Sequence, residues 1–327
     1  METYNNFELT LVDTRAEVIP PSSEKAFIQA NTVGASLEEI RNQHVIPVFI
    51  KDNEPVISHA DFIDTTLEVV HDLFQGETVL SPSIRISHPV KGRIPEAKSK
   101  PASQLLENEK TLYYERMAFA IEIPSISEDI NGNTLSLTVG GVKAYNLDNL
   151  YNKKGADEHF KVFVGFQNRV CTNLCVWSDG YVNDLKVSDA KQLKSFIKTL
   201  IEGYNAHKQI QAMQRLVEFS LTEHQFAALI GRCRMYQHLS NFEKERIPPL
   251  LIGDNQIGAI CKDYYNDDSF CRNAEGDINL WKIYNLFTGA NKRTYIDHFL
   301  DRSVNAFQFV NQLQQGLEGK VGNWFLN

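Results

Sequence analysis

No stretch of this chain holds the roughly twenty consecutive apolar residues that a membrane-spanning helix needs, so a membrane is not among the expected partners. The first residues, Met1-Glu-Thr-Tyr-Asn-Asn-Phe-Glu8, lack a basic flank followed by an apolar core, and no secretory leader is expected. Glycine-rich phosphate loops are missing too: neither a Walker nor a dinucleotide-binding pattern occurs, which argues against an ordinary nucleotide-using enzyme. Internal repeats and Ser/Gly-rich linkers are absent. Cysteine is scarce and odd in number, at 5, which with the missing leader predicts reduced thiols and a cytoplasmic location. Basic residues are outnumbered, 33 Lys and Arg against 41 Asp and Glu, for a net charge of −8. A surface that coated nucleic acid throughout would have to be basic, because neutralising phosphates supplies most of that affinity. The deficit excludes a uniform coat and leaves room for a local basic groove.

What is present is the composition of a soluble globular protein, 43% hydrophobic and 23% charged, in a chain of 327 residues that admits one large domain or two ordinary ones. Ser36-Leu-Glu-Glu39 is a capping box and predicts a helix to about Gln43. Residues 45–50 and 54–57, separated by Lys51-Asp-Asn53, predict a hairpin that Pro47 and Pro55 confine to a sheet edge. Ser58 caps a helix to about Phe74, with Phe62, Leu67, Val70 and Leu73 near helical spacing. From Val79 to Phe166 strands are predicted at 84–86, 118–123, 134–139, 142–145 and 161–166, with Asn131-Gly-Asn133 and Gly140-Gly141 as turns. After about Asp189 the spacing turns helical: Leu193, Phe196, Leu200 and Tyr204 form one stripe, Met213 and Leu216 another, and Thr222-Glu-His-Gln225 is a further capping box. Pro248-Pro249 interrupts the helices, which resume around Ile257, at 281–287 and at 305–313. The predicted fold class is α+β: an antiparallel sheet with helices in residues 1–185, and a mostly α-helical domain, 186–327, packed against it.

Several side-chain groups admit a chemical reading beside a plainer one. Cys171 and Cys175, with Cys261 and Cys271, supply four soft ligands, as structural zinc requires. Their spacing is not that of a zinc knuckle, and small buried hydrophobes are the favoured reading, so no metal and no cofactor is expected. The segment from Ser83 to Lys100 carries Arg85, His88, Lys91, Arg93, Lys98 and Lys100 against one acid, Glu96. Such a stripe suits a phosphate backbone, with Tyr113, Tyr114 or Phe119 as stacking surfaces; the plainer reading is a solvated loop held by Pro and Gly. The acids Asp254, Asp263, Asp267, Asp268, Glu275 and Asp277 match no metal-loop spacing and read as a solvated face. Trp324, Phe325 and Leu326 end the chain with an apolar tail that either packs on the helical half, the favoured outcome, or docks on a partner protein.

Two runs are the most informative. Phe163-Val-Gly-Phe-Gln-Asn-Arg-Val-Cys-Thr-Asn-Leu-Cys175 holds Arg169, Cys171 and Asn173; Trp281-Lys-Ile-Tyr-Asn-Leu-Phe-Thr288 sets Trp281, Tyr284, Asn285 and Thr288 on one helical face. Asn173 is either a ligand contact or a turn cap. A buried amide must find partners, and Asn285 is expected to bond the 171–173 loop. Both runs resemble a phage- and plasmid-encoded protein family of unknown function, domain of unknown function 3871, related to domain of unknown function 932. The resemblance extends more loosely from about Gly76 to about Leu313. It identifies relatives without naming a reaction; taken with the basic segment, it points to a mobile-element protein, nucleic-acid-associated and binding DNA, single strands favoured, in replication or recombination. The alternatives are a protein-binding modulator of a host system and an enzyme built on Arg169, Cys171 and Asn173.

Overall fold

The structure is a computed structural model that describes residues 26–43, 57–93, 97, 100, 102–150 and 157–326. The hairpin expected at 45–57 lies outside the described residues except for Ile57. Along the first half run β1 (Val33–Ala35), α1 (Leu37–Gln43), α2 (His59–Leu73), β2 (Ser83–Ile86), β3 (Pro89–Arg93), β4 (Lys110–Tyr114), β5 (Arg116–Ile130), β6 (Asn133–Ala144), α3 (Tyr145–Leu150), β7 (Glu158–Asn168) and β8 (Leu174–Val187). The second half holds α4 (Ala190–Gly203), α5 (Ala206–Arg215), β9 (Ser220–Leu221), α6 (Glu223–Tyr236), α7 (Asn241–Lys244), α8 (Asp254–Asn266), β10 (Ile278–Asn279), α9 (Leu280–Asn291) and α10 (Ile296–Leu317). The α+β expectation holds: six strands form an antiparallel sheet in the order β1-β2-β5-β6-β7-β8, and helices dominate after Val187. Among the described residues, strands β3 and β4 pair only with each other, as a separate two-stranded ribbon. Among the described residues no helix is long and apolar enough to cross a membrane.

Local chemistry accounts for most boundaries. Ser58 and Asp61 close a reciprocal capping box at α2, Thr222 and Gln225 do so at α6, and Asp189 caps α4. Asn131 (φ 50°) and Gly132 (φ 77°) make the left-handed turn between β5 and β6. Gly140-Gly141 is not a turn. Both lie inside the continuous strand β6, where Gly140 faces Phe163 and Gly141 faces Phe62. A Cβ would fall 2.1 Å from the Phe119 carbonyl oxygen at position 140 and 2.5 Å from Phe62 Cζ at position 141. Glycine is there because two aromatic rings and the neighbouring backbone occupy the side-chain space.

Helices cover both sheet faces. On one side Phe62 of α2 meets Phe119 edge-on at 5.0 Å and Phe160 at 4.8 Å, a contact set in which burying one phenylalanine contributes about 1.5–3 kcal/mol. Helix α4 lies beside α2 and buries Leu193, Ile197 and Ile201, whereas Phe196, expected in its apolar stripe, is 50% exposed. On the other side α10 lays Ile296, Phe299, Leu300 and Val304 against Ala118, Val142, Phe163 and Val176. A polar seam fixes its register: Arg116 bonds Asp297 at 2.7 Å, Lys161 bonds Asp301 at 2.7 Å, and the Tyr181 hydroxyl donates to Asp301 at 2.6 Å. One buried cluster runs from Ile40 to Phe325 and joins sheet to helices. The apolar tail is part of it, with the fully buried Phe325 edge-on to Phe309 at 4.7 Å.

Candidate functional site

The structure disperses the basic segment. Arg85, on β2, donates from Nε to the Thr32 hydroxyl at 3.0 Å and from Nη2 to the Thr32 carbonyl at 2.7 Å. Burial lowers its pKa, and its role is to hold the 30–32 turn. Lys100 pairs with Glu109. Lys91 and Arg93 lie on β3, where the register sets Lys91 opposite Leu112 and Arg93 opposite Lys110. Lys98 lies outside the described residues. His88 is exposed where the chain enters the ribbon. Of the expected aromatic partners, Phe119 is buried in the core and Tyr114 is 8% exposed, so neither of these two offers a face to a ligand; the Tyr113 side chain lies outside the described ones.

The ribbon's base opens on a cleft of about 510 Å³. One wall is the 30–32 turn, in which Asn31 adopts φ 47°; the second is Ser87, His88 and Pro89 with Glu115 and Arg116; the third is Tyr295 to His298 at the start of α10. Arg116 forms the floor, with Nη1 donating to Glu115 at 2.6 Å and Nε to Asp297 at 2.7 Å. These carboxylates raise its pKa against the opposing pull of burial. His88, His298 and Tyr295 stand exposed at the mouth, Tyr295 at 60%.

The two motif runs meet across the β7–β8 turn. Asn173 donates from Nδ2 to the Asn285 backbone carbonyl at 3.0 Å, and Asn168 donates to Asn133 at 3.2 Å. Asn285 donates in turn to the Trp281 carbonyl at 2.9 Å, and Thr288 to the Tyr284 carbonyl at 3.1 Å. Thr172, at φ 58°, lets the turn close by donating its amide to Asn168 at 2.7 Å. The Lys292 ammonium reaches the Cys171 carbonyl and the Thr172 hydroxyl, while its own backbone carbonyl accepts the amides of Gln29 and Ala30 at 2.8 and 3.2 Å. Lys292 thus links the motif turn to the wall of the cleft. Arg169 is exposed and faces Glu122 at 3.5 Å. Burial pushes the Cys175 thiol and the Tyr284 hydroxyl beside it up, away from the reactive thiolate. All five cysteines are free thiols, and among the described residues no three His, Cys, Asp or Glu side chains converge as a metal site.

Sequence reasoning missed a buried charge cluster. Lys143, fully buried on β6, donates to Glu158 at 2.6 Å and to Asp148 at 3.4 Å, with its ammonium 4.0 Å from the centre of the Phe160 ring. Burial raises the pKa of Asp148 and outweighs the opposing pull of Lys143. Beside it the buried His59 ring stacks on Tyr145 at 4.4 Å, and His59 Nε2 lies 2.7 Å from the Tyr114 carbonyl. The signal was available: a lysine between Val142 and Ala144, in the otherwise uncharged run from Val139 to Ala144, is a buried cation in need of an acid.

No curated protein and no solved structure matches this chain. A family model does, over residues 10–326, under the description "Domain of unknown function, B. Theta Gene description (DUF3871)". With nearly its whole length matched, the chain belongs to this uncharacterised family.

Proposed function

We propose that this is a nucleic-acid-associated accessory protein that binds DNA on the β3–β4 ribbon and the cleft beneath it. The observation that carries this reading is the ribbon itself: among the described residues it pairs with no strand of the main sheet, and its register brings Lys91 and Arg93 to positions of one parity, with Lys110 opposite Arg93 and paired to Glu107. A two-stranded ribbon has the dimensions of a groove-binding arm. An acidic protein with a basic arm contacts DNA locally and does not coat it. The resemblance of its motif runs to phage- and plasmid-encoded proteins supports action in a mobile element's replication or recombination, in the cytoplasm. Titrating single- and double-stranded DNA at several salt concentrations tests the reading. Lys91→Ala with Arg93→Ala is expected to weaken binding and to flatten the salt dependence by about 0.7 to 0.9 of a slope unit per lost phosphate contact. Unchanged affinity and slope would overturn it.

A further inference from the structure

The cleft has the Tyr295 ring at its mouth, the ion-paired Arg116 in its lining and the first residue of the ribbon, Pro89, on one wall. Its volume, about 510 Å³, lies in the range of small-ligand clefts and has room for one base and its sugar. Pro89 belongs to both the ribbon and the cleft lining, and so a strand lying along the ribbon passes the opening. Charge decides which part of a nucleotide enters. Arg116 is clasped by Glu115 and Asp297, and the floor therefore holds one cation and two anions. A phosphate is repelled by that balance. A base is not: its edge needs donors and acceptors together, and the floor offers the guanidinium and the carboxylate oxygens side by side. The Tyr295 ring, 60% exposed at the N-cap of α10, supplies a π face that accepts any base.

We propose that the cleft receives one unstacked base of single-stranded DNA, with Tyr295 as the stacking platform. This rests on the ribbon being a DNA surface. Duplex DNA keeps its bases paired and gains nothing from the cleft, which makes the cleft the source of single-strand preference. Phosphates stay on the ribbon, where Lys91 and Arg93 lie.

The test compares three probes of equal length: single-stranded DNA, duplex DNA and an abasic sugar-phosphate chain. The full-length protein should bind the single strand more tightly than the abasic chain. Tyr295→Ala should weaken single-strand binding about tenfold, the size of one lost base–aromatic stack, and leave the duplex and abasic chain unchanged. Tyr295→Phe should bind as the parent does. A 2-aminopurine strand gives a second readout, with its fluorescence quenched by the parent and less so by Tyr295→Ala. Equal single-strand affinity and quenching in Tyr295→Ala would overturn the base-binding cleft while leaving the ribbon reading intact. Loss of binding to all three probes in Lys91→Ala/Arg93→Ala supports the ribbon independently. A parent protein that binds none of the probes would overturn both.

Discussion

The side-chain amide of Asn173 donates to the backbone carbonyl of Asn285 across 112 residues of chain, at 3.0 Å and wholly within the protein. This bond seats the β7–β8 turn on α9, and Lys292, two turns further along, ties the same turn to the segment that walls the cleft. An asparagine that closes such a contact is a fastener whose loss is read first in stability.

Asn173→Ala is accordingly expected to destabilise the protein by about 1–3 kcal/mol, the range for leaving a buried polar partner unsatisfied. Denaturant unfolding of the variant measures this. An unchanged midpoint would mean that the Thr288 hydroxyl, 3.2 Å from the same carbonyl, satisfies it alone.

Asn285 was legible because an amide at helical offsets from Trp281 and Tyr284 stands out in an aromatic stripe. Strand β8 was not among the expected strands, since Ser178-Asp-Gly180 interrupts its apolar residues; in the fold Gly180 lies against the Val164 carbonyl and the Tyr204 ring, where a Cβ would meet the carbonyl oxygen at 2.2 Å. The cleft was illegible for a different reason. Its walls come from residues 30–32, 87–89 with 115–116, and 295–298, which are brought together only by tertiary packing of α10 on the sheet. Periodicity reports which face of an element is apolar and carries no information on which distant elements leave a gap between them.

Gly141→Ala probes the close approach of α2 to the sheet. With Phe62 Cζ 2.5 Å from the new Cβ, the ring or the helix must shift, and overpacking of this kind costs about 1–3 kcal/mol. Gly203→Ala, at the end of α4 with nothing within 4 Å of its Cβ position, serves as the control. It should be neutral or stabilising by up to about 1 kcal/mol. Equal melting temperatures for the two variants would contradict the packing described for β6.

Removing the buried ammonium should be costly. Lys143→Met leaves Glu158 and Asp148 without their cation and is expected to destabilise by about 3–5 kcal/mol, with partial recovery when Glu158→Gln is added. The pair of unfolding curves checks both values.

The same cluster predicts a pH dependence. The pKa of Asp148 is raised above its ordinary value of 3.8, chiefly by burial, so folding favours its protonated form. Its contribution to stability is complete below that ordinary value and is lost as pH rises through the raised one. Asp148→Asn stays neutral and keeps an oxygen to accept the His159 amide, held at 2.9 Å in the parent. Relative to the parent, the variant should therefore gain stability as pH rises from the ordinary carboxylate range toward neutrality. Parallel pH profiles for the two proteins would show that Asp148 is not titrating in that window.

The tail offers a sharper separation, because its two aromatic neighbours differ in burial. Phe325 is fully buried between Phe309, 4.7 Å away, and Tyr236, 5.8 Å away, and its amide donates to Asn323 Oδ1 at 2.9 Å. Trp324 is only half-buried, with the Arg232 guanidinium 4.8 Å from its ring. Phe325→Ala should cost about 3–5 kcal/mol through the cavity it leaves. Trp324→Ala loses a partly solvated cation–π contact, about 0.5–1 kcal/mol, together with some packing, and should cost clearly less. Thermal unfolding of the isolated protein is the measurement, since a segment that served only to dock on another protein would leave that stability untouched. If Phe325→Ala melted with the parent, the tail would have to be detached in solution, and its place in the core between α6 and α10 would be wrong.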